Sequence, residues 1–73
     1  MNTREIGALV RNARRALSLR QDELAGAAGV GVRFIVDLEA GKATVQLGKA
    51  LAVLQALGCR IRIDPPSAPK HAR

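Results

Sequence analysis

The stretch that most constrains this chain runs from Gln21 to Lys42. Small and apolar residues recur at helical spacing over 21–28 and again over 32–40, and Gly29 stands between the two runs. Glycine takes a positive φ without steric cost, so Gly29 suits a tight turn, and Gly41 suits a left-handed cap that ends the second helix. Two short helices joined by a glycine-containing turn are typical of a helix-turn-helix unit.

Charge and composition indicate the partner of this unit. The chain has 12 Lys and Arg against 6 Asp and Glu and a net charge of +6, which favours a polyanion. It has one Phe and no Trp or Tyr, too few aromatic rings for proteins that stack single-stranded bases. A single cysteine, Cys59, excludes an internal disulfide framework and a multi-cysteine metal site. We therefore expect double-stranded DNA as the partner.

A first helix is predicted from about Thr3 to Leu17, with Thr3 as its N-cap, because apolar residues such as Ile6 and Val10 recur on one face. A fourth helix is predicted from Thr44 to Leu57, with Thr44 as its N-cap. The fourth helix is apolar on almost every side and must be covered on almost every side. In so short a chain, we expect a second copy to cover part of it.

The segment 59–64 alternates apolar and charged residues with the period of a strand. A lone strand leaves its backbone groups unpaired, so we expect it to pair with the same segment of a second copy about a two-fold axis. The residues predicted at this dimer interface are Val53, Ala56, Cys59, Arg60, Ile61, Arg62 and Ile63. Prolines end the strand, and residues 65–73 are predicted to be a flexible basic tail outside a single domain of residues 1–64.

The order of motifs over residues 6–57 resembles the phage-repressor (Cro/cI, XRE) family of helix-turn-helix regulators. The matching stretches are 19–21, 23–25, 28–30 and 38–42, together with Ile35. The resemblance implies a mainly α, lambda-repressor-like domain of four helices that binds a palindromic DNA operator as a homodimer.

A narrower resemblance concerns residues 44–58 and the strand-like segment after them, which are similar to HipB-type antitoxins. That resemblance implies a repressor of its own operon with a HipA-like kinase toxin as partner. Two alternatives stay open: a phage-type repressor without a toxin, and a protein-interaction module that mainly neutralises or docks on a toxin or enzyme.

In this family the start of the third helix reads base edges in the major groove, and the second helix crosses the DNA backbone. Arg33 is the strongest candidate, since a guanidinium can pair with guanine O6 and N7. Asp37 is expected either to accept from cytosine N4 or to hold Arg33 across one helical turn. Phe34 is expected either to reach a base or to be partly buried. The residues predicted to contact DNA are Arg20, Gln21, Gly31, Val32, Arg33, Phe34, Asp37, Lys42 and Thr44.

The same resemblance implies that Arg14 and Glu39 form a partly buried ion pair between the first and third helices. No catalytic constellation and no metal or cofactor site is recognisable, so we expect neither an enzyme nor a cofactor. The sequence shows no membrane span or signal peptide. We therefore expect a cytoplasmic, nucleoid-associated protein.

Overall fold

The computed structural model describes residues 1–67, and this part of the chain forms four helices and no β-strand. The helices are α1 (Thr3–Ala16), α2 (Gln21–Ala28), α3 (Val32–Glu39) and α4 (Leu47–Ala56). Helix α3 packs against both α1 and α2, and α4 packs against α2. The predicted mainly α fold of four helices is confirmed, with α2 and α3 forming the helix-turn-helix unit.

The apolar core draws on all four helices and on the residue that ends α4. Its buried members are Val10, Leu24, Ala25, Ile35, Leu38, Ala50, Val53 and Leu57. Burying a Val, Leu or Ile side chain contributes about 1.5–3 kcal/mol. Because α2 and α3 each contribute two of these side chains, the packing of the core fixes the angle at which α3 is presented.

The turn between α2 and α3 forms as predicted. Gly29 ends α2 in the left-handed conformation, with φ 72° and ψ 33°. Val30 then donates its backbone N–H to the carbonyl oxygen of Ala25 at 3.0 Å, which satisfies one of the last free carbonyls of α2. The chain thereby reverses within three residues and enters α3 at Val32.

Helix α1 begins at Thr3, and its N-cap is Asn2, one residue earlier than the predicted cap. Asn2 forms a complete capping box with Glu5. Asn2 Oδ1 accepts a hydrogen bond from the Glu5 N–H at 2.8 Å, and Glu5 Oε1 accepts one from the Asn2 N–H at 2.9 Å. Thr3, predicted as the N-cap, lies inside the helix and donates its hydroxyl to the carbonyl oxygen of Gly41 at 2.9 Å. Thr3 therefore ties the start of α1 to the turn that follows α3.

Helices α1 and α3 approach so closely that only glycine fits at one position. A Cβ atom on Gly7 would overlap the backbone carbonyl of Leu38 and lie 2.8 Å from that of Glu39. Gly41, with φ 82°, is equally restricted, because a Cβ there would lie 2.9 Å from Arg4 Cα. The end of α3 is therefore seated directly on the backbone of α1.

The start and the orientation of α4 differ from the prediction. Helix α4 begins at Leu47, and Gln46 holds the N-cap position in extended conformation, so Thr44 is not the cap. Val45 packs against the core before the helix starts, which delays it by three residues. Val53 is fully buried in the core of its own protomer, and its assignment to a dimer interface is therefore wrong.

The segment after α4 forms no strand within the protomer. Gly58, with φ 75°, ends α4, and residues 59–67 have neither helix nor strand assignment. The strand predicted for 59–64 is absent because none of the described residues offers it an edge to pair with. The predicted tail, 65–73, lies outside the described residues from 68 onward. None of the helices described is long and apolar enough to cross a membrane.

Candidate nucleic-acid interface

Helix α3 divides its residues between the core and the surface. Ile35 and Leu38 are buried, whereas Val32 and the side chain of Arg33 are 47% and 82% exposed. Gly31, the N-cap residue, is also exposed and caps through its backbone alone. The N-terminal turn of α3 therefore presents one apolar and one cationic side chain outward, on a helix whose other side is held by the core.

Asp37 joins the exposed face of α3 to the turn that follows it. Its Oδ1 atom lies 3.2 Å from Arg33 Nε, and its Oδ2 atom lies 3.7 Å from Lys42 Nζ. Of the two roles that the sequence leaves open, the structure contains the second, since the carboxylate holds Arg33 across one turn of helix. Asp37 is the least exposed of the three side chains, so it can orient two more exposed cations.

Phe34 contributes more to the packing of the core than to the exposed face of α3. It is half-buried and packs against the core cluster, and Lys49 Nζ lies 5.9 Å from the centroid of its ring. Among the residues predicted to contact DNA, Phe34 is thus turned toward the domain. Thr44 is exposed in the connection between α3 and α4.

The N-terminus of α2 carries an arginine where a hydrogen-bond acceptor is usual. Arg20 makes no side-chain cap. Its backbone N–H instead donates to Glu23 Oε1 at 2.8 Å, and its guanidinium lies 3.1 Å from Asp22 Oδ1. The hydrogen bond from Arg20 lowers the pKa of Asp22. Glu23 therefore satisfies the backbone N–H of Arg20, whereas the Arg20 side chain pairs with Asp22 and supplies no acceptor to the first turn of α2.

The side chain of Gln21 is less available for a DNA contact than the sequence suggests. Its side-chain amide donates to Glu39 Oε1 at 3.2 Å, so the amide is directed into the domain. The backbone N–H groups of the first turn of α2 remain without intrahelical acceptors, as in any helix. A phosphate contact at this position would therefore use the main chain of Gln21.

Arg14 and Glu39 form a bidentate ion pair beneath this surface. Arg14 Nε donates to Glu39 Oε2 at 2.6 Å, and Nη2 donates to Oε1 at 3.0 Å. Nη1 donates to the carbonyl oxygen of Leu19 at 2.8 Å. The two side chains are only 11% and 5% exposed. The pair therefore links α1, the α1–α2 connection and α3.

The carboxylate of this pair is held ionised. Burial acts to raise the pKa of Glu39, but hydrogen bonds from Arg14 and Gln21, with the charges of Arg14 and Arg11, outweigh it and lower the pKa. The hydrogen bond to Glu39 likewise raises the pKa of Arg14 against the effect of burial. Both groups therefore stay charged at neutral pH.

A polar groove that the sequence did not reveal lies beside α3. It has a volume of about 400 Å³ and is lined by Arg11, Arg14, Arg15, Gln21, Val36, Glu39 and Ala40. In the sequence, Arg11 and Arg15 mark only the polar side of α1. Their position beside α3 depends on how α1 crosses it, and residue spacing alone does not determine that crossing.

The remaining residues predicted at a dimer interface are accessible in the protomer. Ala56 and the segment 60–63 are exposed, and Cys59 is half-buried against the core. Arg62 Nε donates to Asp64 Oδ1 at 2.9 Å. The side chains of Ile61 and Ile63 are left in solvent, at 50% and 84% exposure.

Known proteins are similar to this chain in sequence. A family model described as helix-turn-helix matches residues 10–63, which include the second half of α1 and all of α2, α3 and α4. An uncharacterized HTH-type transcriptional regulator of Sinorhizobium fredii, y4mF, is 69% identical over 62 residues, which cover 85% of this chain and 82% of that relative. With the geometry of α2 and α3 described above, the chain belongs to the phage-repressor (XRE) type of helix-turn-helix family, whose members are DNA-binding transcription regulators.

Proposed function

We propose that this protein is a sequence-specific transcriptional repressor that inserts the exposed turn of α3 into the major groove of DNA. The observation that carries the proposal is the row formed by Arg33, Asp37 and Lys42, in which one carboxylate lies within 3.7 Å of both cations. A guanidinium fixed in this way is suited to the edge of a guanine, and an ammonium beside it is suited to a phosphate. Val32 adds an apolar contact that fits a thymine methyl group.

The proposal includes a homodimer that binds a palindromic operator. The support is an excess of exposed apolar side chains at one end of the chain. Leu47 is 72% exposed and Leu51 is 40% exposed on α4, and Ile61 and Ile63 follow in a segment with strand periodicity. Pairing of that segment with its copy would cover both isoleucines and satisfy its backbone groups. Each protomer would then read one half-site, with half-site centres about 34–36 Å apart or a multiple of it.

Selection of bound duplexes from a random pool tests the proposal. The wild-type protein should enrich a palindrome, and Arg33→Ala should lose about 1–3 kcal/mol of binding free energy at one base pair of each half-site only. The matched control is Arg4→Ala, which removes an exposed cation from the first turn of α1. If Arg33→Ala weakens every sequence equally, Arg33 contacts phosphate and not a base.

Analytical ultracentrifugation tests the dimer. The double variant Ile61→Ser, Ile63→Ser should sediment as a monomer and keep the wild-type circular dichroism spectrum, because neither side chain belongs to the core. Leu17→Ser is the control, since Leu17 is 53% exposed at the end of α1. A wild-type protein that sediments as a monomer would contradict this part of the proposal.

Within this function we infer a role as the antitoxin of a HipA/HipB-like operon. The support is the resemblance of residues 44–58 to HipB-type antitoxins. Co-expression with the neighbouring open reading frame tests it: a kinase-like protein should co-purify, and the complex should retard the operon's upstream DNA. Tight binding of a neighbour without any shift of DNA would favour the protein-interaction module, and a shift without any bound neighbour would favour a phage-type repressor.

A further inference from the structure

The groove beside α3 carries two cations that form no salt bridge within the described residues. Its inner wall is neutral, because Arg14 and Glu39 pair with each other. Arg11 and Arg15 form its rim, and neither takes part in any ion pair within residues 1–67. Both side chains belong to exposed residues of α1. Two uncompensated guanidinium groups therefore face the same open groove.

The position of the groove relates these cations to α3. Val36 and Ala40 line it and continue the row that begins at Val32, at a spacing of four residues. The adjacent row on the same helix contains Arg33 and Asp37. Arg11 and Arg15 therefore border one side of the exposed face of α3, and Lys42 borders the other through its contact with Asp37.

A DNA duplex presents its charges in a matching way. The major groove is about 12 Å wide, and phosphates line both of its walls, so a helix inserted there has a backbone on either side. The wall nearest the row from Val32 to Ala40 would pass the N-terminus of α2 and then the rim of this groove. Asp22 and Glu23, which would repel a phosphate at α2, lie within 3.9 Å of Arg20 and are compensated by it.

We propose that Arg11 and Arg15 of α1 form a phosphate-binding site that grips the DNA backbone on the Val36 side of α3. This inference rests on the proposed function, since it adds a contact by α1 to a duplex already engaged by α3. The site binds phosphodiester oxygens without regard to base sequence. The groove that both arginines line has a volume of about 400 Å³, which is room for a phosphate and its hydration.

The salt dependence of binding to the selected operator tests the site. Each phosphate contact contributes about 0.9 to the slope of log K against log salt, so the double variant Arg11→Gln, Arg15→Gln should lower the slope by about 1.8 for a dimer on two half-sites, and each single variant should lower it by less. Arg11→Lys and Arg15→Lys should keep the slope. Arg4→Gln removes the same charge from the first turn of α1, outside the lining of this groove, and should match the wild-type protein.

The base preference provides a second readout. The ratio of affinities for the operator and for a scrambled duplex should be the same in Arg11→Gln, Arg15→Gln and wild type, because a phosphate contact carries no base information. Fluorescence anisotropy measures both quantities. If the Gln variants keep the wild-type slope, the phosphate site is wrong and the proposed repressor stands. If the wild-type protein binds no duplex at all, both are wrong.

Discussion

Replacing Glu39 by glutamine should destabilise the domain severely while hardly changing its shape. The substitution removes the charge that faces Arg14 and leaves a guanidinium that is only 11% exposed with the carbonyl of Leu19 as its other fixed partner. Breaking a buried ion pair on one side costs about 3–5 kcal/mol. An amide oxygen can still accept one hydrogen bond, so we expect about 3 kcal/mol, the lower end of that range.

That loss is large for a chain of this size. A domain of 73 residues has a total stability of about 4–11 kcal/mol. A loss of 3 kcal/mol should lower the melting temperature by roughly 12–24 °C. Thermal and urea unfolding followed by circular dichroism at neutral pH measure the effect. The control is Asp22→Asn, which breaks the exposed pair with Arg20 and should leave the melting temperature nearly unchanged.

A second variant separates charge from packing. Changing Arg14 and Glu39 together to Met and Leu removes both charges and keeps apolar volume, and such replacements of buried ion pairs are often neutral or stabilising. The double variant should therefore be more stable than Glu39→Gln. Equal melting temperatures for Glu39→Gln and Asp22→Asn would refute the reasoning, because the buried pair would then contribute no more than an exposed one.

Three further outcomes follow from the geometry. Gly7→Ala should lower the free energy of unfolding by about 1–3 kcal/mol, because the added Cβ meets the backbone of α3. Gly26→Ala should raise the free energy of unfolding by about 0.8–1 kcal/mol, because nothing lies within 4 Å of the added Cβ. Urea titrations compare the two variants. In the folded protein the pKa of Glu39 lies below its ordinary value of 4.5. As the pH drops, the unfolded chain therefore takes up a proton at Glu39 before the folded protein does, and the free energy of unfolding should fall below about pH 4.5. Glu39→Gln should flatten that pH dependence in acid titrations. Lys42→Ala should weaken binding to all duplexes alike and reduce the salt slope by about one for each half-site, measured by anisotropy, and a loss confined to one base pair would count against a phosphate contact.

Local signals in the sequence were sufficient for the helix-turn-helix unit. Gly29 and Gly41 mark chain reversals that depend on their own φ angles, and the apolar spacing of α2 and α3 fixes which side faces the core. Both helices consequently begin where the sequence predicts, and α3 ends one residue earlier. The interactions that define these elements lie within a few residues of each other.

The fourth helix shows why other features were not predictable. Because α4 is apolar on nearly every side, its sequence contains no periodic signal that specifies its rotation about its own axis. The contact with α2 decides the rotation, burying Val53 and leaving Leu47 and Leu51 in solvent. Its start depends on Val45, whose packing against the core is a tertiary contact.

The candidate site likewise has some features that the sequence indicates and others that depend on tertiary contacts. The spacing of Arg33 and Asp37 indicated a contact across one helical turn as one of two roles for Asp37, and the structure contains that contact. The second partner of Asp37, Lys42, and the capture of the Gln21 amide by Glu39 depend on how separate segments meet. The groove beside Arg11 and Arg15 depends on the crossing of α1 and α3, which follows from the Gly7 contact.

The separation of α3 into two sides has an evolutionary consequence. Ile35, Leu38 and Glu39 serve the domain, and Val32 and Arg33 serve only the outer surface. Gene duplication followed by change at the outer positions can therefore alter the surface of α3 without a loss of the fold. The same property makes the domain a practical scaffold on which libraries at these two positions can be screened for altered DNA binding.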